Sequence, residues 1–511
     1  MDKRFYITTP IYYVNGAPHI GHAYTSVAAD VLARWKRLDG ADVFFLTGTD
    51  EHGQKVEKAA EDAAMAPQAF VDQVSRKFSD LSALMGVSND AFIRTTEPRH
   101  AVACQALWRR LRDAGDIYLG HYEGWYAVRD ETFYNEDELV PGPDGGRRAP
   151  TGAPVQWMKE PSYFFRLSAW QDRLLAFYDA HPDFILPPGR RNEVLSFVRG
   201  GLTDLAVSRT SLTWGVPVPD DPGHVMYVWL DALINYLTAA GYPDGAAPLW
   251  RFWPADVHVV GKDIIRFHAV IWPALLLAAG LPPPRRVVAN GWWTARGEKM
   301  SKSLNNAIDA VALVETYGLD PVRFFLLREV PFGNDGDFSD AALIRRMNGE
   351  LANDLGNLAQ RTLTQVAKNL GGALPGAAPA TADDALLLDA ARALPGVLRP
   401  LMDRMALSDA LEEVWKVIRA ANAYIDRQAP WALRRTDPAR MTAVLRVLVD
   451  AMVPVAVVLQ PFMPGSMARL LDQLGVAIAA RDLAGLATPL PAGLTLPPPQ
   501  GVFPRHVEAA A

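Results

Sequence analysis

Two histidines flank a glycine in the segment His19-Ile20-Gly21-His22, at the start of a predicted helix near the N-terminus. A β-branched and aromatic run precedes this segment, and apolar residues at helical spacing follow it as far as Leu38. A helix N-terminus attracts anions through its unpaired N–H groups and its dipole. The spacing therefore favours a nucleotide site in which both imidazoles face phosphate oxygens, although incidental histidines at a helix start would give the same pattern.

Two lysines, Lys299 and Lys302, lie three residues apart in a polar segment that ends at Ser303. Both could reach one polyphosphate, although this segment alone could equally be a solvated basic loop. Its combination with His-Ile-Gly-His near the N-terminus is similar to the signature pair of class I aminoacyl-tRNA synthetases. The resemblance implies an ATP site that includes His19, Gly21, His22 and Lys302. It implies that the catalytic residues are His19, His22, Lys299 and Lys302.

The order of the predicted elements indicates a parallel sheet that is interrupted by an insertion. Predicted strands alternate with helices over residues 1–115, and the alternation returns over 225–337. Between them, residues 116–224 are aromatic-rich and contain a Gly/Pro loop, which is typical of an inserted module. Residues 338–485 carry helical patterns, and 486–511 form a proline-rich tail. We therefore expect an α/β fold with a Rossmann-type catalytic domain and an inserted connective module, followed by an all-α bundle.

Composition limits the kinds of site and partner that the chain can have. The 511 residues carry a net charge of −6, so a nucleic-acid partner would need local basic patches. The single cysteine, Cys104, cannot form an internal disulfide or a thiolate zinc site. No stretch offers the ~18 apolar residues of a membrane span, and the N-terminus leads directly into a strand. We expect a cytoplasmic protein without membrane contact.

Three further segments narrow the resemblance, namely Tyr227 to Ala232, Gly261 to His268, and Gln428 to Trp431. Together they resemble methionyl-tRNA synthetases over nearly the whole chain. The insertion lacks Cys-x-x-Cys pairs and is too short for the editing domain of the leucine, isoleucine and valine enzymes. It therefore resembles the zinc-free, single-knuckle form. The resemblance implies a monomeric methionine–tRNA ligase that uses ATP and Mg²⁺, holds no structural zinc, and charges methionine tRNA, including the initiator.

The same resemblance implies where the two small substrates bind. Asp50 would hold the methionine ammonium with Arg209 beside it, although the residues alone would also allow Asp50 to be a helix N-cap. Gly261 and Asp263 would contact the adenosine. The methionine pocket would comprise Pro10, Ile11, Tyr13, Asp50, Arg209, Ala232, Leu233, Tyr236, Ile264, His268 and Trp272. Leu233 stands where a proline is common in the family, so the pocket wall there is expected to differ in shape.

In the helical region, the resemblance implies that Asn357, Arg361 and Trp431 read the CAU anticodon. Asn357 and Arg361 lie one turn apart and so share a helix face. Pro430 should end one helix or start the next and hold the Trp431 indole at the surface, where a base can stack on it. Without the resemblance, a partly buried tryptophan that packs helices, with Arg361 solvated, is the plainer interpretation.

Two other functions share parts of this pattern. A small-molecule nucleotidyltransferase carries a related histidine motif, but it would lack the lysine segment and the long helical region. A non-catalytic RNA-binding paralogue would be expected to lose His19, His22 or Lys302, and all three are present. Methionine activation is the favoured hypothesis, and a methionine-dependent assay separates it from both alternatives.

Overall fold

The computed structural model describes residues 3–134, 136–142, 145–295, 297–300 and 308–507. Its first part alternates strands and helices as the sequence predicts. These elements are β1 (Arg4–Tyr13), α1 (Ile20–Leu38), β2 (Asp42–Asp50), α2 (Gln54–Asp62), α3 (Pro67–Leu84), β3 (Ala91–Arg94) and α4 (Pro98–Asp113). Strands β1 and β2 are buried along most of their length, because both faces of the sheet are covered.

The inserted region is built from short strands and two helices. Its elements are β4 (Ile117–Ala127), β5 (Thr132–Tyr134), β6 (Val140–Pro141), β7 (Arg147–Arg148), β8 (Gln156–Phe165), α5 (Gln171–Ala180), β9 (Ile185–Leu186), α6 (Pro188–Arg199), β10 (Leu205–Ala206) and β11 (Ser208–Arg209). Four of these strands form an antiparallel sheet in the order β10-β8-β4-β5.

The α/β alternation then resumes. The elements are β12 (Val225–Met226), α7 (Val228–Ala240), β13 (Val257–Gly261), α8 (Trp272–Ala278), β14 (Val287–Asn290), β15 (Trp293–Ala295), β16 (Glu298–Lys299), α9 (Ala310–Tyr317), α10 (Leu319–Arg328) and β17 (Gly336–Phe338). Helix α8 is preceded by a π-helical turn, Phe267–Ile271, which lies just beyond the end of β13.

The central sheet has six parallel strands in the order β3-β2-β1-β13-β14-β9. Strand β9 comes from the predicted insertion, so that segment also completes the core sheet. Side chains alternate between two apolar cores: Ile7 and Val259 pack with α1 and the helical region, whereas Tyr6 and Val260 pack with α4, α7 and α8. The parallel arrangement brings the carboxyl ends of β1, β2, β13 and β14 to one edge.

The C-terminal region is helical, so the predicted fold class is confirmed. Its helices are α11 (Asp340–Arg346), α12 (Asn357–Leu370), α13 (Ala382–Asp403), α14 (Leu407–Gln428), α15 (Pro430–Thr436), α16 (Pro438–Leu459) and α17 (Pro464–Gln473). The predicted single helix over 339–369 is interrupted by a π-helical stretch, Met347–Gly356. Pro430 starts the separate short helix α15 directly after Ala429, which is left-handed.

One helix in the described part of the chain, α16, is long and apolar enough to cross a membrane by length and composition. The expectation that no segment reaches that size is therefore wrong. Most of this stretch is buried, and the helix packs against α12, α13, α14 and α17. A helix that is apolar on all sides is what the centre of a helical bundle requires.

A buried arginine joins the α/β part of the chain to the helical region. Arg323 of α10 is fully buried and donates to Asp30 Oδ2 of α1 at 2.7 Å. It also donates to the carbonyl oxygens of Met85, Pro461 and Phe462 at distances of 2.9, 2.8 and 3.1 Å. Burial alone would raise the pKa of Asp30, but Arg323 and other neighbouring donors more than offset this and lower it. The ion pair is therefore buried, and four hydrogen bonds from Arg323 help to offset the cost of burying its charge.

Replacing Arg323 by leucine should leave Asp30 and three carbonyl oxygens short of a donor. We expect Arg323→Leu to lower the free energy of unfolding by about 3–5 kcal/mol. The matched control is Arg345→Leu, because the Arg345 side chain is 68% exposed and lies 3.4 Å from Glu329. Such surface pairs contribute about 0–1 kcal/mol. Denaturant unfolding of both variants measures the difference, and equal losses would contradict this account of Arg323.

Candidate active site at the carboxyl edge of the sheet

A cavity of about 300 Å³ lies at the carboxyl edge of the parallel sheet, where α1 begins. Five residues predicted for nucleotide binding line it, namely His19, Gly21, His22, Gly261 and Asp263. Most of the residues predicted for methionine binding line it as well, namely Pro10, Ile11, Tyr13, Asp50, Ala232, Leu233, Tyr236, Ile264 and His268. The structure therefore brings both predicted halves of the site together around one space.

The two histidines form the N-terminal cap of α1. The Gly21 N–H donates to His19 Nδ1 at 3.1 Å, and the His19 N–H donates to His22 Nδ1 at 3.1 Å. Because each Nδ1 accepts, the proton of each neutral ring lies on Nε2, where it can be donated to an anion. A Cβ at Gly21 would lie 2.9 Å from His19 Cε1, so this cap requires a glycine.

The cap offers an anion neutral donors. Burial lowers the pKa of His22 well below its ordinary range, and the neighbouring His19 lowers it further. The two rings lie 4.0 Å apart between centroids, so two positive charges there would repel each other strongly. Attraction for an anion therefore comes from the Nε2–H groups and from the dipole at the start of α1, whose first N–H groups donate to Ile308 and His19.

Asp50 ends β2 and has a carboxylate oxygen, Oδ1, that is buried without a hydrogen-bond partner among the described residues. In that part of the chain α2 begins after Gly53 with no side-chain cap, so Asp50 is not the N-cap of that helix. Burial raises the pKa of Asp50 well above its usual value, and the carboxylates of Asp231 and Glu131 raise it further. A cation at Oδ1 would offset the free-energy cost of the ionised, buried carboxylate, so the geometry suits an ammonium ligand.

One wall of the cavity carries neutral aromatic side chains. The Tyr236 hydroxyl lies 2.7 Å from His268 Nε2, and His268 Nδ1 lies 3.1 Å from the Ile264 carbonyl oxygen. The π-helical turn Phe267–Ile271 presents this ring, and such turns are frequent at functional sites. Burial lowers the pKa of His268 to about 4, so the imidazole is neutral at pH 7. This wall therefore suits an uncharged side chain.

Two residues predicted for the methionine pocket do not line the cavity. The Arg209 guanidinium pairs with Glu160 of β8 and lies 4.4 Å from the centroid of the Tyr126 ring. Trp272 is fully buried, and its Nε1 donates to His258 Nε2 at 3.3 Å. Arg209 is therefore bound by Glu160 within the insertion, and Trp272 is packed in the core beside the sheet. Neither side chain lines the cavity.

Several lining residues were not predicted, namely Tyr12, Thr25, Trp229, Asn290, Gly291, Trp292, Trp293 and Met300. Trp229 stacks on Phe267 with ring centroids 3.7 Å apart. The sequence could have indicated Trp229 as a lining residue, because it lies three residues before the predicted pocket residue Ala232 in the same segment. Asn290 ends β14, and a polar residue at the carboxyl end of a parallel strand was a second signal.

The lysine segment lies largely outside the described residues. Lys302 belongs to 301–307, which are not described, and only the backbone of Lys299 is described, in β16. Met300 between them is buried and lines the cavity. The described start of the segment therefore reaches the same space as the histidine cap.

The described residues include one group of side chains that could ligate a metal, namely His100, Cys104 and Asp231. Asp231 Oδ1 lies 2.7 Å from His100 Nε2, and its Oδ2 lies 2.7 Å from His52 Nδ1. Two ligands of a tetrahedral zinc ion stand roughly 3.3 Å apart, given metal–ligand distances near ~2 Å. The two separations at Asp231 are instead those of charge-assisted hydrogen bonds, whereas Cys104 Sγ lies 3.3 Å from His100 Nε2 and 3.9 Å from Asp231 Oδ1. The group is a buried network that joins α4, α7 and the loop after β2.

The predicted anticodon residues lie near one another on the helical region. Trp431 is 46% exposed, so it is not a core residue. The Arg361 guanidinium lies 5.3 Å from the centroid of the Trp431 ring and pairs with Asp426 at 2.6 Å. Asn357 is exposed at the start of α12, one turn before Arg361. The three side chains therefore offer a flat ring, a cation and an amide at one surface.

Comparison with known proteins identifies the class and the family. A family model described as tRNA synthetases class I (M) matches residues 5–153 and 146–363. A second, described as the anticodon binding domain of methionyl tRNA ligase, matches residues 374–510. The parallel sheet, the histidine cap and these matches define a class I aminoacyl-tRNA synthetase. Within this class, the chain belongs to the methionyl-tRNA synthetase family.

Individual relatives agree with this assignment along the whole chain. The methionine–tRNA ligase of Mesorhizobium japonicum is 54% identical over 508 residues, covering 99% of this chain and 98% of that protein. The methionine–tRNA ligase of Rickettsia bellii is 53% identical over 519 residues, covering 99% and 100%. The solved structure of Mycobacterium tuberculosis methionyl-tRNA synthetase in complex with methionyl-adenylate has a TM-score of 0.96 and 53% identity, covering 98% of this chain and 100% of that one.

The neutral His268 imidazole should make stability depend on pH. Its pKa is about 4 in the folded protein against 6.5 for an ordinary histidine, so the unfolded chain takes up a proton that the folded state excludes. The stability contribution of this group is complete above pH 6.5 and is lost as the pH falls towards 4. We expect urea unfolding to show a steeper loss of stability over this range for the wild type than for His268→Gln, and parallel slopes would refute the assignment.

Proposed function

We propose that the chain is a methionine–tRNA ligase that activates methionine with ATP and then charges methionine tRNA, including the initiator. The observation that carries this proposal is Asp50 Oδ1, which is buried without a hydrogen-bond partner among the described residues and shares one cavity with an aromatic wall and the histidine cap of α1. A cation receptor, a pocket for an uncharged side chain and an anion site are what activation of such an amino acid by ATP requires. Family membership supports the same function.

In this proposal methionine binds with its ammonium group on Asp50 and its thioether among the rings of the pocket. Sulfur packs favourably against aromatic rings, and Tyr13, Tyr236 and Trp229 line the cavity. His268 adds a neutral polar contact. An apolar pocket alone separates near-isosteres by only ~10–200-fold, so contacts between sulfur and the rings would favour methionine over leucine.

The first reaction step is a displacement at the α-phosphorus of ATP. A methionine carboxylate oxygen forms a bond to this phosphorus, the bond from phosphorus to the bridging oxygen breaks, and pyrophosphate leaves with the electron pair. His19 and His22 would hold phosphate oxygens through their Nε2–H groups. Lys302, helped by Lys299, would stabilise the charge on the leaving pyrophosphate. Catalysis then consists of positioning and charge stabilisation, without an enzyme nucleophile.

The adenosine would rest on Gly261 and Asp263, with the carboxylate accepting the ribose hydroxyls. A Cβ at Gly261 would lie 2.7 Å from Asp263 Oδ1, so a side chain there would disturb this carboxylate. Asp50 and Asp263 are the carboxylates among the described lining residues, and they serve the two substrates. Mg²⁺ would therefore be held mainly by phosphate oxygens, whose charge it would neutralise.

The second step transfers the methionyl group to tRNA. The 2′-hydroxyl oxygen of the terminal ribose forms a bond to the methionyl carbonyl carbon, and the bond from that carbon to the phosphate oxygen breaks. AMP leaves with the electron pair, and the hydroxyl proton is released. We assign the acceptor end to the inserted module at 116–224, between the catalytic halves at 1–115 and 225–337. The anticodon is assigned to the bundle at 338–485, which is followed by the tail at 486–511.

We also propose a cytoplasmic monomer without structural zinc. The buried group around Asp231 is satisfied by hydrogen bonds, which supports the absence of zinc from it. The bundle buries its apolar faces within the chain, which supports a monomer. The single cysteine, Cys104, is buried and unpaired, and a chain without disulfides fits the cytoplasm.

The function is tested by charging transcripts of methionine tRNA with labelled methionine. We expect the purified protein to form methionyl-tRNA on a transcript with the CAU anticodon. The same transcript with a different anticodon should be charged far more slowly. Charging with another amino acid in place of methionine would show that the proposed function is wrong.

Removing the charge of Asp50 should weaken methionine binding selectively. A hydrogen bond to a charged group contributes ~1.5–3 kcal/mol, so Asp50→Asn should raise the KM for methionine roughly 10–100-fold. The KM for ATP should change little, because the histidine cap is untouched. Asp389→Asn on α13, whose side chain is 74% exposed, is the control. Steady-state pyrophosphate exchange gives both KM values. A normal methionine KM in Asp50→Asn would show that Asp50 does not bind the methionine ammonium.

The anticodon bases would be read at the surface formed by Asn357, Arg361 and Trp431. The indole is exposed and the guanidinium already lies beside it. A splayed base can stack on the ring while the amide and guanidinium groups bond to base edges. The exposed position of Trp431 supports this proposal over a packing role.

Truncating Trp431 should therefore separate the two reactions. We expect Trp431→Ala to cost ~1–3 kcal/mol in tRNA charging and to leave methionine-dependent pyrophosphate exchange nearly intact. The control is Trp415→Ala, because Trp415 is fully buried in the same bundle. That change should cost about 3–5 kcal/mol of stability and depress both reactions. If Trp431→Ala behaved like Trp415→Ala, stacking on the anticodon would be excluded.

A further inference from the structure

A buried carboxylate from the inserted module reaches into the catalytic domain. Glu131 lies in the turn between β4 and β5 and is only 3% exposed. The Tyr13 hydroxyl at the end of β1 lies 2.8 Å from its Oε1 and 2.9 Å from the His52 carbonyl oxygen, and it can donate to either. The Lys55 N–H of α2 donates to Glu131 Oε1 at 2.9 Å. The Lys55 ammonium is more distant, 3.7 Å from Oε2. One side chain of the insertion therefore contacts both β1 and α2.

The surrounding chain is shaped to hold this carboxylate in place. Glu131 has a φ of +47°, a left-handed conformation that is strained for a residue with a side chain. Its carbonyl oxygen accepts a hydrogen bond from the Tyr227 hydroxyl, which fixes that backbone. A Cβ at Gly53 would lie 2.4 Å from the Tyr13 hydroxyl and 2.9 Å from Glu131 Oε1. The absence of a side chain at Gly53 thus leaves room for the bond between Tyr13 and Glu131. The hydrogen bonds to Glu131 offset the backbone strain at this residue.

The contact lies directly behind the amino-acid end of the cavity. Tyr13 lines the cavity and is paired across the sheet with Asp50, the proposed ammonium receptor. Glu131 does not itself belong to the described lining. Burial raises the pKa of Tyr13 well above its ordinary value, and Glu131 raises it further, so the phenol stays protonated and donates. Glu131 therefore reaches the lining of the cavity through its bond with Tyr13, and its charge also acts on the Asp50 carboxyl.

We infer that Glu131 is a positioning residue through which the inserted module fixes the Tyr13 wall and so sets the affinity for the amino-acid substrate. This inference rests on the proposed function. The same bond gives the insertion a second role besides contact with tRNA, because a shift of the β4–β5 turn would move a wall of the amino-acid pocket. A merely structural carboxylate would instead hold the two domains together without affecting one substrate more than the other.

The test measures methionine KM, ATP KM and kcat by pyrophosphate exchange for Glu131→Ala, Glu131→Gln and Tyr13→Phe. Loss of the bond to the carboxylate should raise the methionine KM of Glu131→Ala roughly 10–100-fold, with the ATP KM within about twofold. Glu131→Gln keeps an oxygen that can accept from Tyr13 and should stay within about threefold of the wild type. Lys58→Met, which removes an exposed ammonium from the same helix α2, is the control and should also stay within about threefold.

A double-mutant cycle between Glu131→Ala and Tyr13→Phe decides whether the effect passes through this bond. The double variant should be no more impaired for methionine than Tyr13→Phe, because both changes remove the bond between Tyr13 and Glu131, and Tyr13→Phe also removes the contact with the His52 carbonyl oxygen. Additive effects, an unchanged methionine KM, or equal rises in both KM values would overturn the inference. If Glu131→Ala does not fold, the comparison of Glu131→Gln with Tyr13→Phe still tests the inference. A methionine KM raised as much in Glu131→Gln as in Tyr13→Phe would overturn the inference. A wild type without methionine-dependent exchange would instead refute the proposed function itself.

Discussion

Strands β1 and β13 pair in parallel at the centre of the sheet, although their paired residues are 250 positions apart in sequence. Ile7 lies opposite Val257 in this pairing, and the strands end at the same edge. The histidine cap that follows β1 therefore meets the glycine that ends β13. On the other side of β1, the pairing with β2 sets Tyr13 opposite Asp50. The nucleotide and amino-acid ends of the site are both consequences of where β1 stops.

The site combines a rigid frame with a buried carboxylate oxygen that has no partner in the described part of the chain. Arg323 and Asp30 join the frame through a buried ion pair, and Asp231 joins two elements through two histidines. Within that frame, an oxygen of Asp50 has no partner among the described residues, and its carboxyl is costly to ionise. Such groups destabilise a fold and persist where a ligand satisfies them. Positioned donors and acceptors of this kind need no covalent step to promote transfer of an adenylyl group.

Sequence reasoning could predict the features that depend on local pattern. The alternation of strands and helices and the histidine cap of α1 follow from periodicity and from residue types at the helix start. Features that depend on distant partners could not be predicted in this way. Arg209 lies away from the lining because Glu160 of the insertion pairs with it, and β9 joins the core sheet although its sequence neighbours belong to the insertion. The left-handed turn at Glu131 is likewise fixed by Tyr227 rather than by the local sequence.

We propose that one cavity binds methionine and ATP together and that methionyl-adenylate forms there without tRNA. The most direct measurement is exchange of labelled pyrophosphate into ATP by the wild-type protein, with each amino acid supplied singly and no tRNA present. The account predicts rapid exchange with methionine and little with leucine, isoleucine or valine. Exchange that did not depend on methionine, that was faster with another amino acid, or that required tRNA would contradict this account.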